Sequence, residues 1–105
     1  MKEISAPELK VLQDSGEDIQ LIDVREAWER DFSSIGGIHI PPSQLLNNLH
    51  HIERDKKVIF YCRSGLRSRS AIYFLEDQHG FTNLINLAGG ILAWSEEVDR
   101  EVRKY

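Results

Sequence analysis

The sequence predicts an α/β fold with a central parallel sheet of four to five strands flanked by helices on both faces. Extended apolar segments alternate along the chain with segments of helical spacing. The strand segments are largely apolar, as expected for a sheet that is covered on both faces. Helices between successive strands favour right-handed crossovers and therefore parallel pairing. The length of 105 residues fits a single domain over residues 1–105.

Capping and turn signals divide the first half of the chain. Ser5-Ala6-Pro7-Glu8 has the form of a capping box and predicts a first helix that stops at Gly16. Pro41-Pro42 closes a short extended segment, and Ser43 is placed to cap a further helix. The other elements predicted here are a strand over 19–24, a short helix over 26–32, a short strand over 38–40, and a helix after Ser43 that carries Leu45, Leu46 and Leu49.

The second half has clearer periodicity. Residues 57–61 form the clearest predicted strand, because they are rich in β-branched and aromatic side chains. Apolar spacing then predicts a helix over 67–79, and Gly80 suits the position just past its end. A short strand over 84–87 follows. Gly89-Gly90 then turns the chain into a final helix that carries Ile91, Trp94, Val98 and Val102.

The charge balance argues against a surface for nucleic acids or anionic membranes. The formal net charge is −4, and 41% of the residues are hydrophobic. No apolar stretch approaches the roughly 18 residues that span a bilayer. The start, Met1-Lys2-Glu3-Ile4-Ser5, lacks the apolar core of a secretory signal. We therefore expect a protein of the reducing cytoplasm with neither nucleic-acid nor membrane partners.

The one cysteine, Cys62, lies between a predicted strand and an arginine-rich loop. Arg63, Arg67 and Arg69 follow it closely, although the chain as a whole is acidic. Loop amides, the N-terminal end of the next helix and nearby guanidiniums would all favour a thiolate. The alternative is a small buried hydrophobe at a strand end, which is common for free cysteine. The arginines favour the reactive thiolate.

A second polar residue, Asp23, follows a neighbouring apolar run. Ligands of parallel sheets bind beyond the carboxyl ends of the strands, so we expect Asp23 and Cys62 to line one crevice. Asp23 and Arg25 are better suited to brace the cysteine loop by ion pairing than to acid–base chemistry. A single cysteine forms no internal disulfide, so a group that Cys62 accepts must pass to another molecule. We expect no metal, nucleotide or organic cofactor.

Three segments resemble signatures of the rhodanese-like domain family and occur in the order of that family. They are Leu21-Ile22-Asp23-Val24-Arg25-Glu26, Tyr61-Cys62-Arg63-Ser64-Gly65-Leu66-Arg67-Ser68, and Asn86-Leu87-Ala88-Gly89-Gly90-Ile91-Leu92-Ala93-Trp94. The cysteine loop is fairly specific, and the three together cover nearly the whole chain. The resemblance implies a parallel sheet flanked by helices. It also implies that Cys62 carries sulfane sulfur as a persulfide.

The resemblance implies a sulfurtransferase. Cys62 would take sulfur from a small donor such as thiosulfate or a persulfide, and pass it to a thiol, cyanide or a protein acceptor. Arg63 or Arg67 would pair with an anionic donor, because a guanidinium offers two parallel hydrogen bonds. Main-chain N–H groups of the loop would cradle the sulfur. The expected substrate-binding residues are Arg63, Ser64, Gly65, Leu66, Arg67 and Ser68.

Two other functions are weighed against this one. Related cysteine-dependent phosphatases and arsenate reductases have five residues between cysteine and arginine, whereas four separate Cys62 from Arg67 here. Ser68 therefore stands where such a phosphatase has its arginine. Non-catalytic regulatory or interaction members of the family usually lack the cysteine that this chain retains.

The segment over 33–38 departs from the family pattern, since it lacks the usual histidine and is one residue shorter. That histidine is not a nucleophile, so the departure concerns loop geometry.

Overall fold

Five parallel strands form the centre of the molecule in the spatial order β1-β5-β4-β2-β3. The computed structural model describes residues 1–105. Its strands are β1 Lys2–Ile4, β2 Ile19–Asp23, β3 Ile38–His39, β4 Lys57–Tyr61 and β5 Leu84–Leu87. Its α-helices are α1 Ala6–Asp14, α2 Ala27–Phe32, α3 Leu66–His79 and α4 Gly90–Glu97. The predicted α/β class with a parallel sheet is confirmed.

Two apolar layers cover the sheet, because successive side chains of a strand point to opposite faces. On one face, Val58 and Phe60 of β4 pack with Ile72 and Leu75 of α3. On the other face lie the apolar residues of the second layer: Ala6, Leu9, Ile59, Tyr61, Ile85, Leu87, Ile91 and Trp94. These residues belong to α1, α4 and the strands between them, so helices pack on both sides of the sheet. None of the helices is long and apolar enough to cross a membrane.

Three elements differ from the sequence prediction. The edge strand β1 was not predicted, because three residues with mixed polarity carry no periodic signal. The helix predicted after Ser43 is wrong: Pro42–Gln44 and Leu46–His51 are short 3₁₀ turns with a kink at Asn48, and Ser43 caps neither. The final helix ends at Glu97, so Val98 and Val102 lie beyond it.

Candidate functional site

Cys62 immediately follows β4, and the short loop after it leads directly into α3. β4 pairs with β2 on one side and β5 on the other, which places Cys62 near the middle of the sheet edge. Cys62 is fully buried, in the apolar layer that contains Ile22 and Ile72. Its thiol is free. A thiol in this position reacts only with groups that enter the loop.

Two loop residues direct hydrogen-bond donors at the sulfur. The Gly65 N–H lies 3.1 Å from Cys62 Sγ and the Ser68 N–H lies 3.4 Å from it. The Ser68 hydroxyl oxygen is also 3.4 Å from Sγ. Gly65 has φ +99°, a left-handed conformation that glycine adopts without strain, and it begins the first turn of α3. The loop therefore offers N–H groups to a negatively charged sulfur.

The start of α4 binds the first two carbonyl groups of the thiol loop. Ile91 N–H donates to the Cys62 carbonyl at 2.9 Å, and Leu92 N–H donates to the Arg63 carbonyl at 3.2 Å. The first N–H groups of a helix have no partner within it, so they are available to bind these oxygens. At Gly90, a Cβ would lie 2.5 Å from both carbonyl oxygens. The close contact between α4 and the loop therefore requires glycine at this position.

Arg67 lies beside the thiol loop and forms an ion pair with Glu29 of α2. Its Nη1 and Nη2 atoms each donate to a Glu29 carboxylate oxygen at 2.7 Å. Glu29 is buried, whereas the Arg67 side chain is 42% exposed. The hydrogen bonds from Arg67 lower the pKa of Glu29 to about 2, against the opposing effect of burial. The same pair raises the pKa of Arg67 above its usual value. Arg67 thus has a structural partner that the sequence did not predict.

Arg63 contacts Tyr105, which lies far along the chain. The Arg63 Nε atom donates to the main-chain oxygen of Tyr105 at 2.6 Å, and Nη2 contacts the same oxygen. The Tyr105 hydroxyl donates to Glu29 at 2.7 Å. A surface cavity of about 460 Å³ lies between these groups. It is lined by Glu26, Trp28, Glu29, Arg63, Arg67 and Tyr105.

Asp23 and Arg25 pair with each other. Arg25 donates to the two Asp23 carboxylate oxygens at 2.8 and 2.7 Å, and both side chains are completely buried. Burial alone would lower the pKa of Arg25, but hydrogen bonds with Asp23 and Tyr105 outweigh it and raise that pKa. Arg25 also donates to the Ser33 carbonyl at 2.8 Å and to the Tyr105 hydroxyl at 3.1 Å. The Asp23–Arg25 pair is therefore linked to the thiol loop by hydrogen bonds through Tyr105 and Glu29. Its side chains form no direct hydrogen bond with residues 62–68.

The segment before β3, which contains Gly36 and Gly37, is linked to the Asp23–Arg25 ion pair by two side chains. The Tyr61 hydroxyl lies 3.1 Å from Asp23 Oδ2 and 2.9 Å from the Gly36 carbonyl oxygen. Arg30 donates to the Gly37 carbonyl at 2.7 Å and lies 3.2 Å from Asp23. The Tyr61 and Arg30 side chains therefore fix the segment before β3 through its main-chain oxygens.

Arg69 and three further residues complete the description of the site. Arg69 is directed to the sheet edge, where it pairs with Glu3 at 3.2 Å, and both side chains are substantially exposed. Glu29, Tyr105 and Asn86 had no role in the sequence prediction, although all three contact the loop or its arginines. Their partners lie tens of residues away, and no local pattern reports such contacts. No group of three or more His, Cys, Asp or Glu side chains is arranged to hold a metal ion.

Comparison with known proteins finds similarity to rhodanese-like domains and to proteins named sulfurtransferases. The family model of the rhodanese-like domain matches residues 5–97 of this chain. The putative sulfurtransferase YtwF of Bacillus subtilis is 37% identical over 98 residues, covering 92% of this chain and 93% of YtwF. The probable adenylyltransferase/sulfurtransferase MoeZ of Mycobacterium tuberculosis is 33% identical over 105 residues. The chain spans about a quarter of the length of MoeZ, 26%.

A solved structure has the same architecture. The crystal structure of a rhodanese-related protein from Thermoplasma volcanium superimposes with a TM-score of 0.79 at 35% sequence identity. The superposition covers 93% of this chain and 94% of the Thermoplasma volcanium chain. The resemblance drawn from the three sequence segments is confirmed.

Proposed function

Because the chain belongs to the rhodanese-like domain family, we propose that Cys62 carries sulfane sulfur as a persulfide and passes it to an acceptor. Relatives of similar length are named sulfurtransferases. The observation that carries the proposal is the placement of the Gly65 and Ser68 N–H groups, 3.1 and 3.4 Å from Cys62 Sγ. These donors suit the negative charge that Cys62 Sγ carries before sulfur arrives and again after sulfur leaves.

The first half-reaction uses Cys62 as the nucleophile. Its thiolate attacks the outer sulfur of thiosulfate, and a new bond forms between the two sulfur atoms. The sulfur–sulfur bond of thiosulfate breaks, and its electron pair leaves with sulfite. The product is a Cys62 persulfide whose negative charge is on the outer sulfur. The Gly65 and Ser68 N–H groups point at Cys62 Sγ, so they stabilise the attacking thiolate and the thiolate that forms again when sulfur is passed on.

The second half-reaction returns Cys62 to its starting state. A nucleophile such as cyanide or a thiolate attacks the outer sulfur of the persulfide. The bond to Cys62 Sγ breaks, and its electron pair regenerates the thiolate. This chain contains one cysteine, so the acceptor is another molecule, either a small nucleophile or a protein. We place this chemistry in a reducing cytoplasm, where a single thiol stays free.

The cavity beside the loop is our candidate binding region for anionic donors. Arg63 and Arg67 are the two loop residues that line it. The charge of Arg67 is largely balanced by Glu29, with which it forms two hydrogen bonds. Arg63 contacts a main-chain oxygen and forms no ion pair with an Asp or Glu side chain. We therefore assign the recognition of thiosulfate chiefly to Arg63.

The test is the intact mass of the protein after exposure to thiosulfate. We expect a gain of one sulfur atom, which cyanide or a reductant removes. The control is Cys62→Ser, which keeps the size of the side chain and removes the nucleophile. That variant should fold, gain no sulfur and form no thiocyanate from thiosulfate and cyanide. Wild-type protein that gains no sulfur from thiosulfate or from a persulfide donor would contradict the proposal, as would an active Cys62→Ser variant.

A further inference from the structure

Asn86 forms hydrogen bonds with Gly65 and Ser68, the two residues whose N–H groups point at Cys62 Sγ. It lies in β5, beside β4, and is completely buried. Its Oδ1 atom accepts a hydrogen bond from the Ser68 hydroxyl at 2.5 Å, and its Nδ2 atom donates to the Gly65 carbonyl at 3.1 Å. One side chain therefore contacts both residues whose N–H groups point at Cys62 Sγ.

Glu3 determines which way the Asn86 amide faces. The Asn86 Nδ2 atom also donates to Glu3 Oε2 at 2.9 Å. A carboxylate and a carbonyl only accept hydrogen bonds, so the NH₂ end of the amide must face Glu3 and Gly65. The oxygen end then faces Ser68. The hydrogen bond from Asn86, together with one from Arg69, lowers the pKa of Glu3, so Glu3 stays a carboxylate at neutral pH.

This orientation also determines where the Ser68 hydroxyl proton lies. A hydroxyl has one proton, and the short contact with Asn86 Oδ1 uses it. The Ser68 oxygen that lies 3.4 Å from Cys62 Sγ therefore faces the sulfur with a lone pair. Donation to a charged sulfur is left to the Gly65 and Ser68 N–H groups, which depend on the loop conformation.

We propose that Asn86, oriented by Glu3, is a positioning residue that fixes the Gly65 and Ser68 donors of the Cys62 loop. It touches neither the sulfur nor a substrate, and it acts by setting the loop before sulfur arrives. The kinetic part of this inference rests on the proposed sulfur transfer. The structural part concerns only the two loop N–H groups.

Asn86→Asp tests the amide with almost no change in shape. The new side chain still accepts from Ser68, but it cannot donate to both Glu3 and Gly65, because a carboxylate has no proton and a carboxylic acid has only one. We expect kcat for thiosulfate to fall at least about tenfold, as when a preorganised donor is displaced, with KM changed less than about twofold. The amide resonances of Gly65 and Ser68 should shift in an NMR spectrum of the labelled protein.

Variants of Glu3 test the orientation from a half-exposed position at the sheet edge. Glu3→Gln still offers an oxygen to Asn86 Nδ2, so it should keep wild-type resonances and turnover. Glu3→Lys offers only donors, which favours the inverted amide, so both readouts should change as in Asn86→Asp. Glu101→Lys makes the same change of charge at an exposed position that contacts neither Asn86 nor an ion-pair partner, and it should match the wild type.

The two readouts separate this inference from the proposed function. If the wild type transfers no sulfur, the Gly65 and Ser68 resonances still decide whether Asn86 and Glu3 fix the loop. Wild-type resonances and turnover in Asn86→Asp and Glu3→Lys would overturn the inference. Equal effects of Glu3→Gln and Glu3→Lys would also overturn it, because charge alone would then explain them.

Discussion

Glu29 is the residue on which several groups around the thiol loop converge. It accepts two hydrogen bonds from Arg67 and one from the Tyr105 hydroxyl, and its main-chain oxygen accepts from Arg25 at 3.3 Å. Because the carboxylate is buried, losing its charge would leave these donors poorly matched. A single carboxylate thus links α2, the start of α3 and the last residue of the sequence.

We predict that Glu29 makes stability depend on pH in the acid range. Its pKa falls from an ordinary value of 4.5 to about 2 in the folded protein, chiefly through Arg67. The depressed pKa contributes stability that is fully present above 4.5 and is lost as the pH falls toward 2. The shift corresponds to about 3 kcal/mol at neutral pH. Urea denaturation across this pH range would measure it.

Glu29→Gln is the matched control for that measurement. The amide keeps the shape and removes the titration, so its free energy of unfolding should be lower at neutral pH. The difference from the wild type should shrink as the medium becomes more acid. A difference between the two proteins that stays constant from neutral pH to pH ~3 would contradict the assignment of the pH dependence to Glu29.

Arg63, Arg67 and Arg69 differ in partners, so their substitutions should differ in effect. We predict that Arg63→Ala raises KM for thiosulfate about tenfold, the loss expected for one charge-assisted contact. A sulfane-sulfur donor that carries no charge at the assay pH should be affected much less. Arg69→Ala is the control, because Arg69 pairs with Glu3 at an exposed position. Steady-state kinetics with both donors would measure this.

Equal losses with the charged and the neutral donor would assign Arg63 to loop structure instead. Arg67→Ala should lower the stability of the protein as well as thiosulfate use, because it leaves the buried Glu29 carboxylate without its main partner.

At the level of elements, the contact between α4 and the thiol loop depends on Gly90. A Cβ at this position would lie 2.5 Å from the main-chain oxygens of Cys62 and Arg63, and the residue has φ +59°. We predict that Gly90→Ala lowers the free energy of unfolding by more than about 3 kcal/mol and slows sulfur transfer, because the helix must move from the loop. Denaturation and persulfide formation would be measured together.

Gly80→Ala separates backbone strain from close packing. Gly80 also has positive φ, +69°, but no atom lies within 4 Å of a Cβ built there. We expect a loss of about 1–2 kcal/mol from the left-handed conformation alone, with normal sulfur transfer. The role assigned to the α4 contact would fail if the two alanine variants were equally stable and equally active.

The elements with strong local signals were predicted correctly, and those without such signals were not. The apolar run of β4 and the glycine after α3 mark their boundaries as the sequence indicated. β1 is stabilised by pairing with β5, a tertiary contact between the start and the end of the sequence. Leu45 and Leu46 suggested a helix, but Pro41-Pro42 and the kink at Asn48 limit this region to 3₁₀ turns.

Local sequence signals also determined which parts of the site could be predicted. The position of Cys62, after a strand and before a loop that leads into a helix, could be predicted because these signals lie together in the sequence. The pairing of Asp23 with Arg25 could be anticipated because they lie two residues apart. Glu29 and Tyr105 could not, because their partners among the loop arginines depend on how α2 and the segment over 98–105 pack.

At the scale of the whole molecule, Tyr105 joins parts of the chain that are distant in sequence. Its ring packs edge-on against Trp28 at 5.8 Å, and its hydroxyl lies between Arg25 and Glu29. We predict that Tyr105→Phe lowers the free energy of unfolding by about 1–2 kcal/mol, because two buried charged groups each lose a partner. Urea denaturation at neutral pH would measure the loss.

Tyr73→Phe provides the comparison. Tyr73 is 54% exposed and lies in α3, so removal of its hydroxyl should leave stability unchanged within about 0.5 kcal/mol. Equal stability of the Tyr105→Phe variant and the wild type would show that the hydroxyl bridge makes no net contribution.

The capture of the Cys62 and Arg63 carbonyls by α4 has a consequence for the order of events during synthesis. Cys62 and the six residues that follow it are added to the chain before Asn86 and Gly90. Until α4 packs against the sheet, the loop lacks the Ile91 and Leu92 N–H groups that bind the Cys62 and Arg63 carbonyls. We therefore expect the arrangement of donors around Cys62 to form only when the last strand and helix complete the sheet.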